Sequence, residues 1–415
     1  MPGLAVSRFA ASLAALVAAG VALRVLYTVL VAPWPPPISD DQVYFHLMPR
    51  LLIDGEGFVQ PQLAQAGHVV ATAAHPPFYS VVLAGLAELG GTGQLVQRLT
   101  GSVFGAVTII AIGLIARRLA GPRAGLIAAG VAAVYPILVT ADGALMSESL
   151  YGALVAGALL TAYALVEAPS VPRGVGLGVL LGLAALTRGE ALILVVLLLV
   201  PVVRRPRGRS AALATVVAAL AVLAPWTIRN LTTFHRLVPV STDAGAVVGG
   251  ANCQPTYYGG NIGGWNILCD PPYPGNEAEQ TARQQAKGVR YARHHLGRLP
   301  IVAGARLLRQ WSFYRPFQAN PGRSPGWQRA GVVVYWALLV PAAYGLLVLR
   351  RRRRVPLGII VCPILLACIQ AVLIYGYLRF RHPAEISIVV LAAVGLEALA
   401  VRMTGRRSAP APAAA

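Results

Sequence analysis

Apolar runs of about 17–25 residues follow one another along nearly the whole chain, and each is long enough to cross a hydrocarbon core of roughly 30 Å as a helix. Most of these runs lack the polar face that a helix on a soluble core must show. Only 12% of the residues are charged and 56% are hydrophobic, whereas a soluble domain carries roughly twice that share of charge. The chain therefore reads as an all-α polytopic membrane protein with about ten, at most eleven, transmembrane helices. No tandem repeat is evident.

The net charge of +20 invites a nucleic-acid reading, but the arginines sit in short loops between apolar runs rather than on one soluble face. No nucleic-acid partner is expected. Lys287 is the only lysine, so the arginine excess also reflects codon bias. The first apolar run begins just after Arg8 and no small-residue cleavage site follows it, which reads as a retained helix rather than a signal peptide. Cys362 and Cys368 lie inside an apolar span and read as packing residues. Cys253 and Cys269 share one polar loop and can pair if that loop lies in an oxidising compartment. No metal signature accompanies them.

The basic loops orient the chain. Arg117, Arg118 and Arg123 form one, Arg204 to Arg209 a second, Arg350 to Arg354 a third, and Arg402, Arg406 and Arg407 close the sequence. Placed inside, they give spans at 9–32, 95–116, 124–140, 149–167, 174–187, 190–203, 211–226, 328–349, 356–377 and 384–401. Two polar segments, 33–94 and 227–327, then lie outside, and residues 1–403 form a single domain with a low-complexity, disordered tail over 404–415. Residues 76–89 are apolar, but counting them as a span would move basic loops outside. They are also short, so they read as an interfacial or re-entrant helix.

This path gathers the exceptional residues at the outer boundary. Asp40 and Asp41 open the first outer loop, followed by Tyr44, and His75-Pro76-Pro77-Phe78-Tyr79 ends it. Glu148 starts the fourth span, Arg188 and Glu190 flank a turn, Arg229 and Asn230 cap the seventh span, and Arg379, Arg381 and His382 lie beyond the ninth. Charges at membrane depth are costly unless paired or functional. Acids suit acid/base work, and the planar fork of arginine suits phosphate. Each residue has a plainer reading: Asp40 and Asp41 as a helix-end cap, Glu148 as a macrodipole acid, Arg188 and Glu190 as partners of one another, Arg229 as a snorkelling side chain, and His75 as part of a turn. Arg379 and Arg381 fit the plain reading least, because they break the positive-inside pattern.

The ordered motifs resemble membrane glycosyltransferases of the GT-C superfamily. More narrowly, they are similar to the family of protein O-mannosyltransferases and lipid A aminoarabinose transferases. The motifs are Asp40-Asp41-x-x-Tyr44, Gly55-Glu56-Gly57-Phe58, His75 to Tyr79, the basic stretch 116–123, Ser147 to Tyr151, Leu186 to Glu190, Ala224 to Asn230 and Tyr377 to Pro383. They span about residues 10–400. The resemblance implies a sugar donor carried on a polyprenyl phosphate and transfer at the extracytoplasmic face of the cell membrane, to a hydroxyl of a protein, glycolipid or polysaccharide. It implies Asp40 as catalytic base with Asp41 as its neighbour, and Glu148 at the position of a second acid that is usually Asp. Arg229, Arg379 and Arg381 would hold the donor phosphate, with Arg188 beside them, while Tyr44, His75, Tyr79, Glu190 and His382 line the cavity. Attack by a hydroxyl from the face opposite a leaving phosphate predicts inversion, and the arginines make a cofactor unnecessary, although a divalent cation could bridge Asp40 or Asp41 to the phosphate. The larger members carry a soluble C-terminal domain that the sequence does not suggest here. The loop 227–327, with Tyr257, Tyr258 and Trp265, would face the acceptor or pack on the membrane. A flippase for a lipid-linked sugar would also need arginines, but it predicts midplane charges and two related halves. A non-catalytic partner with the same fold is the third reading.

Overall fold

A computed structural model describes residues 2–33, 41–269, 271–318, 322–352 and 356–404. Asp40, Arg353, Arg354 and the tail 405–415 lie outside the described residues, and Thr404 closes the last helix rather than opening the tail.

In chain order the helices are α1 (Pro2–Leu30), α2 (Asp41–Ile53), α3 (Pro61–Gln65), α4 (Phe78–Glu88), α5 (Gln94–Ala120) and α6 (Pro122–Val134). Then come α7 (Pro136–Asp142), α8 (Glu148–Glu167), α9 (Val171–Ala185), α10 (Ala191–Val203), α11 (Gly208–Phe234) and α12 (Asp243–Ala251). The chain ends with α13 (Gln254–Tyr257), α14 (Glu277–His294), α15 (Leu299–Gln310), α16 (Pro325–Arg352), α17 (Leu357–Leu373) and α18 (His382–Thr404). The fold is all-α and polytopic. Six helices among the described residues (α1, α5, α8, α11, α16 and α18) are long and apolar enough to cross a bilayer. Of the ten expected spans, these six appear as long apolar helices, the one at 124–140 appears as the pair α6 and α7, and those over α9, α10 and α17 have 15, 13 and 17 residues, short of a full crossing. Helix α4 is shorter still, with 11 residues, or about 16 Å at 1.5 Å per residue.

The span expected at 124–140 is broken. Helices α6 and α7 meet at 57°, because Pro136 supplies no N–H and forces Tyr135 into an extended conformation (ψ 114°). The break orphans carbonyls at the end of α6, and a buried side chain from α1 satisfies them. Arg24 donates from Nη1 to Ala133 O (2.9 Å) and from Nη2 to Ala132 O (3.1 Å), while its Nε meets Asp142 Oδ2 at 2.6 Å. Both charges sit inside the bundle as a strut that fixes the approach to α8.

Helices α8 and α18 form the interior, with 72% of their apolar windows buried against 28% for α1. Helix α16 packs along α18, and α9 packs along α11. Above this bundle the two polar segments fold onto one another. Glu277, in the first turn of α14, accepts hydrogen bonds from Thr72 Oγ1 (2.6 Å), Ala73 N (2.8 Å), Gln60 Nε2 (3.2 Å) and Thr242 Oγ1. Asn276 caps that helix through Glu279 N (3.0 Å), so the carboxylate is presented from a rigid end. A disulfide joins Cys253 to Cys269 within the long loop.

Candidate functional site

The site begins where α2 starts. Asp41 is its first residue, and a cavity of ≈ 180 Å³ opens beside it, lined by Tyr44, Gln60, Thr72, His75 and Glu277 among others. The two oxygens of Asp41 face different ways. Oδ2 accepts a hydrogen bond from Arg379 Nη1 at 2.9 Å, while Oδ1 lies 3.8 Å from His75 Nε2. The other ring nitrogen of His75, Nδ1, is 3.5 Å from Asp243 Oδ2, and the edge of Tyr44 packs on the ring at 4.5 Å between centroids.

Behind Asp41 the charges continue to alternate. Arg379 Nε lies 3.8 Å from Glu148 Oε1, Arg188 Nη1 lies 3.2 Å from the same oxygen, and Arg188 Nε meets Glu190 Oε1 at 2.6 Å. Phe380 lies between the arginines, its ring 5.4 Å from the Arg379 guanidinium and 5.3 Å from that of Arg188. Buried Arg323 is close enough to act electrostatically on both Glu148 and Arg379. Among the described residues, Arg379 Nε and Glu148 Oε2 are buried without a hydrogen-bond partner, a capacity that a bound polar group could use.

Local structure explains how Arg379 reaches this place. Helix α17 stops at Leu373, and the chain then crosses the backbone of Arg306 so closely that a Cβ on Gly376 would lie 1.9 Å from its carbonyl oxygen. Only glycine fits that crossing. A short 3₁₀ turn over Leu378–Arg381 follows, which sends Arg379 toward Asp41 and Arg381 into the core.

The surroundings set the charge of the acids beside the cavity. Burial pushes the Asp41 carboxyl upward, but the guanidinium of Arg379 and the neighbouring His75 outweigh it and hold the group at about 2. Asp243 goes the other way. Burial against the neighbouring loops pushes it up to about 6 even with 45% of its side chain open, with His75 and Arg379 opposing and the Asp41 and Glu277 charges adding. Burial likewise raises the Tyr44 hydroxyl.

The structure thus brings together Asp41, Tyr44, His75, Glu148, Arg188, Glu190 and Arg379, but it places other expected site residues elsewhere. Arg229 is a strut for the first polar segment, donating to Phe58 O and Thr72 O at 2.9 Å each, so protein carbonyls occupy the guanidinium assigned to phosphate. Arg381 points into the core, where it pairs with Glu385 at 2.5 Å, donates to Gln310 O and Ser312 Oγ, and lies 3.5 Å from the Tyr335 ring centroid. Tyr79 is buried against Phe45, and His382 is packed against Gly152. Neither lines the cavity. Asp243, Glu277 and Arg323 were not singled out from the sequence. They lie in polar loop sequence with no motif around them, and only the folding of one loop onto the other reveals them. Among the described residues no three His, Cys, Asp or Glu side chains converge as a metal site would require.

Comparison with known proteins agrees with the sequence resemblance. Residues 74–228 match the family profile described as dolichyl-phosphate-mannose-protein mannosyltransferase, a stretch that holds His75, Glu148, Arg188 and Glu190. No curated protein matches the sequence. Two crystal structures of the Archaeoglobus fulgidus oligosaccharyltransferase share the fold. One is tethered to an acceptor peptide containing the NVT sequon (TM-score 0.55) and the other is in complex with Zn and sulfate (TM-score 0.51). Each is 14% identical and covers 94% of this chain. The chain spans about half the length of that enzyme, 50% of it. ArnT from Cupriavidus metallidurans bound to undecaprenyl phosphate aligns at 18% identity over 93% of this chain and 78% of its own, with TM-score 0.43. The expected all-α, multi-pass membrane fold is met.

Proposed function

We propose that the chain transfers a sugar from a polyprenyl-phosphate donor to a hydroxyl acceptor at the extracytoplasmic face of the cell membrane, with inversion at the anomeric carbon. The observation that carries this reading is the unbroken alternation of charges from the cavity inward: Asp41, Arg379, Glu148, Arg188 and Glu190. A transferase of this kind needs a carboxylate where the acceptor enters and guanidinium groups where the phosphate departs, a short distance apart. The match to the mannosyltransferase profile supports the same chemistry.

The roles follow from position. The Asp40–Asp41 pair supplies the base. Asp40 is the position that the motif assigns, and Asp41 is the one whose Oδ1 is left open by Arg379. Arg379 and Arg188, with Arg323 behind them, stabilise the phosphate charge that develops as the glycosidic C–O bond breaks. Glu148 and Glu190 keep these cations neutralised until the donor arrives. The acceptor oxygen forms its bond to the anomeric carbon while its proton passes to the aspartates. The acceptor belongs to a protein, a glycolipid or a polysaccharide.

The test is transfer from a radiolabelled polyprenyl-phosphate sugar in membranes, comparing wild type with Asp40→Asn and Arg379→Gln. Both variants are expected to lose at least about 10²-fold in rate. Unchanged transfer in Asp40→Asn would remove the base assignment. Translocation of a lipid-linked sugar by wild type, without transfer, would replace the transferase by a flippase.

A further inference from the structure

The proton taken from the acceptor has to leave the site, and Asp41 is a poor place for it to stay. Its Oδ2 is held by Arg379, which disfavours a neutral carboxyl at that position. The Oδ1 side faces His75, and His75 faces Asp243. The imidazole therefore stands between two carboxylates from different parts of the fold, α2 and α12, with one ring nitrogen toward each. Asp243 is the outermost of the three, with 45% of its side chain open to solvent, against 30% for Asp41 and 19% for His75.

We propose that Asp243 is a positioning residue for the acid/base step: it holds His75 with Nε2 toward Asp41, and the pair carries the acceptor's proton from Asp41 out to solvent. This inference rests on the transferase reading. In the step, the acceptor O–H bond breaks and its electron pair forms the new bond to the sugar, while the C–O bond to phosphate breaks with its pair on the leaving oxygen. The proton reaches Asp41 Oδ1, then His75 Nε2, as the proton on His75 Nδ1 moves to Asp243 Oδ2. Asp243 then releases it to water. An acid whose ordinary carboxylate range has been raised toward neutrality suits that last role, and Asp243 is pushed in that direction. The groups that face this imidazole are Asp41 and Tyr44 of α2, Asp243 of α12 and, across the cavity, Glu277 of α14. Arg379 stands behind Asp41.

The experiment compares wild type, Asp243→Asn, Asp243→Glu and His75→Gln in membranes with the radiolabelled donor, over a range of pH. In wild type the rate should fall as pH drops through about 6. Asp243→Asn should lose about 10²-fold in kcat, keep its donor KM within about twofold, and lose that acidic limb, while Asp243→Glu recovers part of the rate. A wild-type rate and profile in Asp243→Asn would overturn the inference, and so would a joint loss of kcat, donor KM and thermal stability with the limb unmoved. A second readout needs no turnover: an infrared difference spectrum of the full chain across pH 6 should show a protonated-carboxyl band that Asp243→Asn removes. Failure of wild type to transfer sugar would refute the transferase. Absence of an Asp243-dependent band would refute the relay whatever the transfer result.

Discussion

Replacing Glu148 with Gln should make the protein less stable and, at the same time, a better binder of the lipid phosphate. Its carboxylate lies 3.2 Å from Arg188 Nη1 and 3.8 Å from Arg379 Nε, with no exposure of its own. At an effective dielectric of about 20, unit charges at these separations attract by about 5 and about 4 kcal/mol before desolvation. Breaking a buried pair costs about 3–5 kcal/mol net where the partner charge is left uncompensated, and the low end, about 3 kcal/mol, applies here because Glu190 and Asp41 still face the two guanidiniums. Glutamine keeps the shape and removes the charge, so two guanidinium groups are left without their shared counter-ion. A bound phosphate supplies the missing negative charge. If binding recovers about half the loss, polyprenyl phosphate should bind about tenfold tighter than to wild type, at 1.4 kcal/mol per tenfold. Thermal melting of the detergent-solubilised protein, titrated with polyprenyl phosphate, reads both quantities through the dependence of melting on ligand concentration. A variant that melts as wild type does, or that binds the lipid phosphate more weakly, would refute the claim that Glu148 is the stand-in anion of these arginines.

Three further outcomes follow from the same geometry. Arg381→Ala should lower stability by about 3–5 kcal/mol, because it strands Glu385 in the core, yet leave the donor KM of the surviving protein unchanged in the transfer assay. Glu277→Gln should loosen the polar segments at Thr72, Ala73 and Thr242, since hydrogen bonds to a charged group contribute about 1.5–3 kcal/mol each. Faster limited proteolysis within residues 60–75 would register it. Asp41 is held at about 2, below the usual value near 3.9, so its contribution to stability is present above pH ~4 and is lost as pH falls through about 2. The melting difference between wild type and Asp41→Asn should therefore shrink as pH falls from ~4 toward ~2.

The membrane bundle was legible because hydrophobic length is a local property of the sequence. The break in the third expected span was signalled by Pro136 but not read, since apolarity continues on both sides of it. Half of the charge cluster at the candidate site was legible as well. Asp41, Glu148, Arg188 and Arg379 stand at the ends of apolar runs, where a charge is conspicuous. The other half was hidden for a physical reason. Asp243 and Glu277 lie in a polar loop where charges are ordinary, and they become significant only when hydrogen bonds from Gln60, Thr72 and Ala73 draw that loop over the cavity. Arg381 failed in the opposite direction. It is separated from Arg379 by one residue, and the sequence has no means of showing that a 3₁₀ turn sends the two guanidiniums to different environments.

That contrast supplies a criterion for sorting the charges of a membrane bundle. Arg24, Arg188, Arg379 and Arg381 each meet a carboxylate, so pairing alone does not separate structure from function. What differs is closure. Arg24 with Asp142 shows side-chain exposures of 0% and 5%, and Arg381 with Glu385 shows 0% and 0%. Such pairs are sealed by the helices they join, and no ligand can compete for them without unfolding the bundle. Arg379 with Asp41 shows 18% and 30%, and His75 stands open at 19% beside them. A pair of that kind is screened enough to be strong but open enough for another anion to exchange into it. A phosphate entering there trades one carboxylate partner for itself rather than creating a charge from nothing. Under the transferase proposal the acids beside the arginines are part of donor binding: they neutralise the cations in the empty site and would yield to the phosphate of an arriving donor.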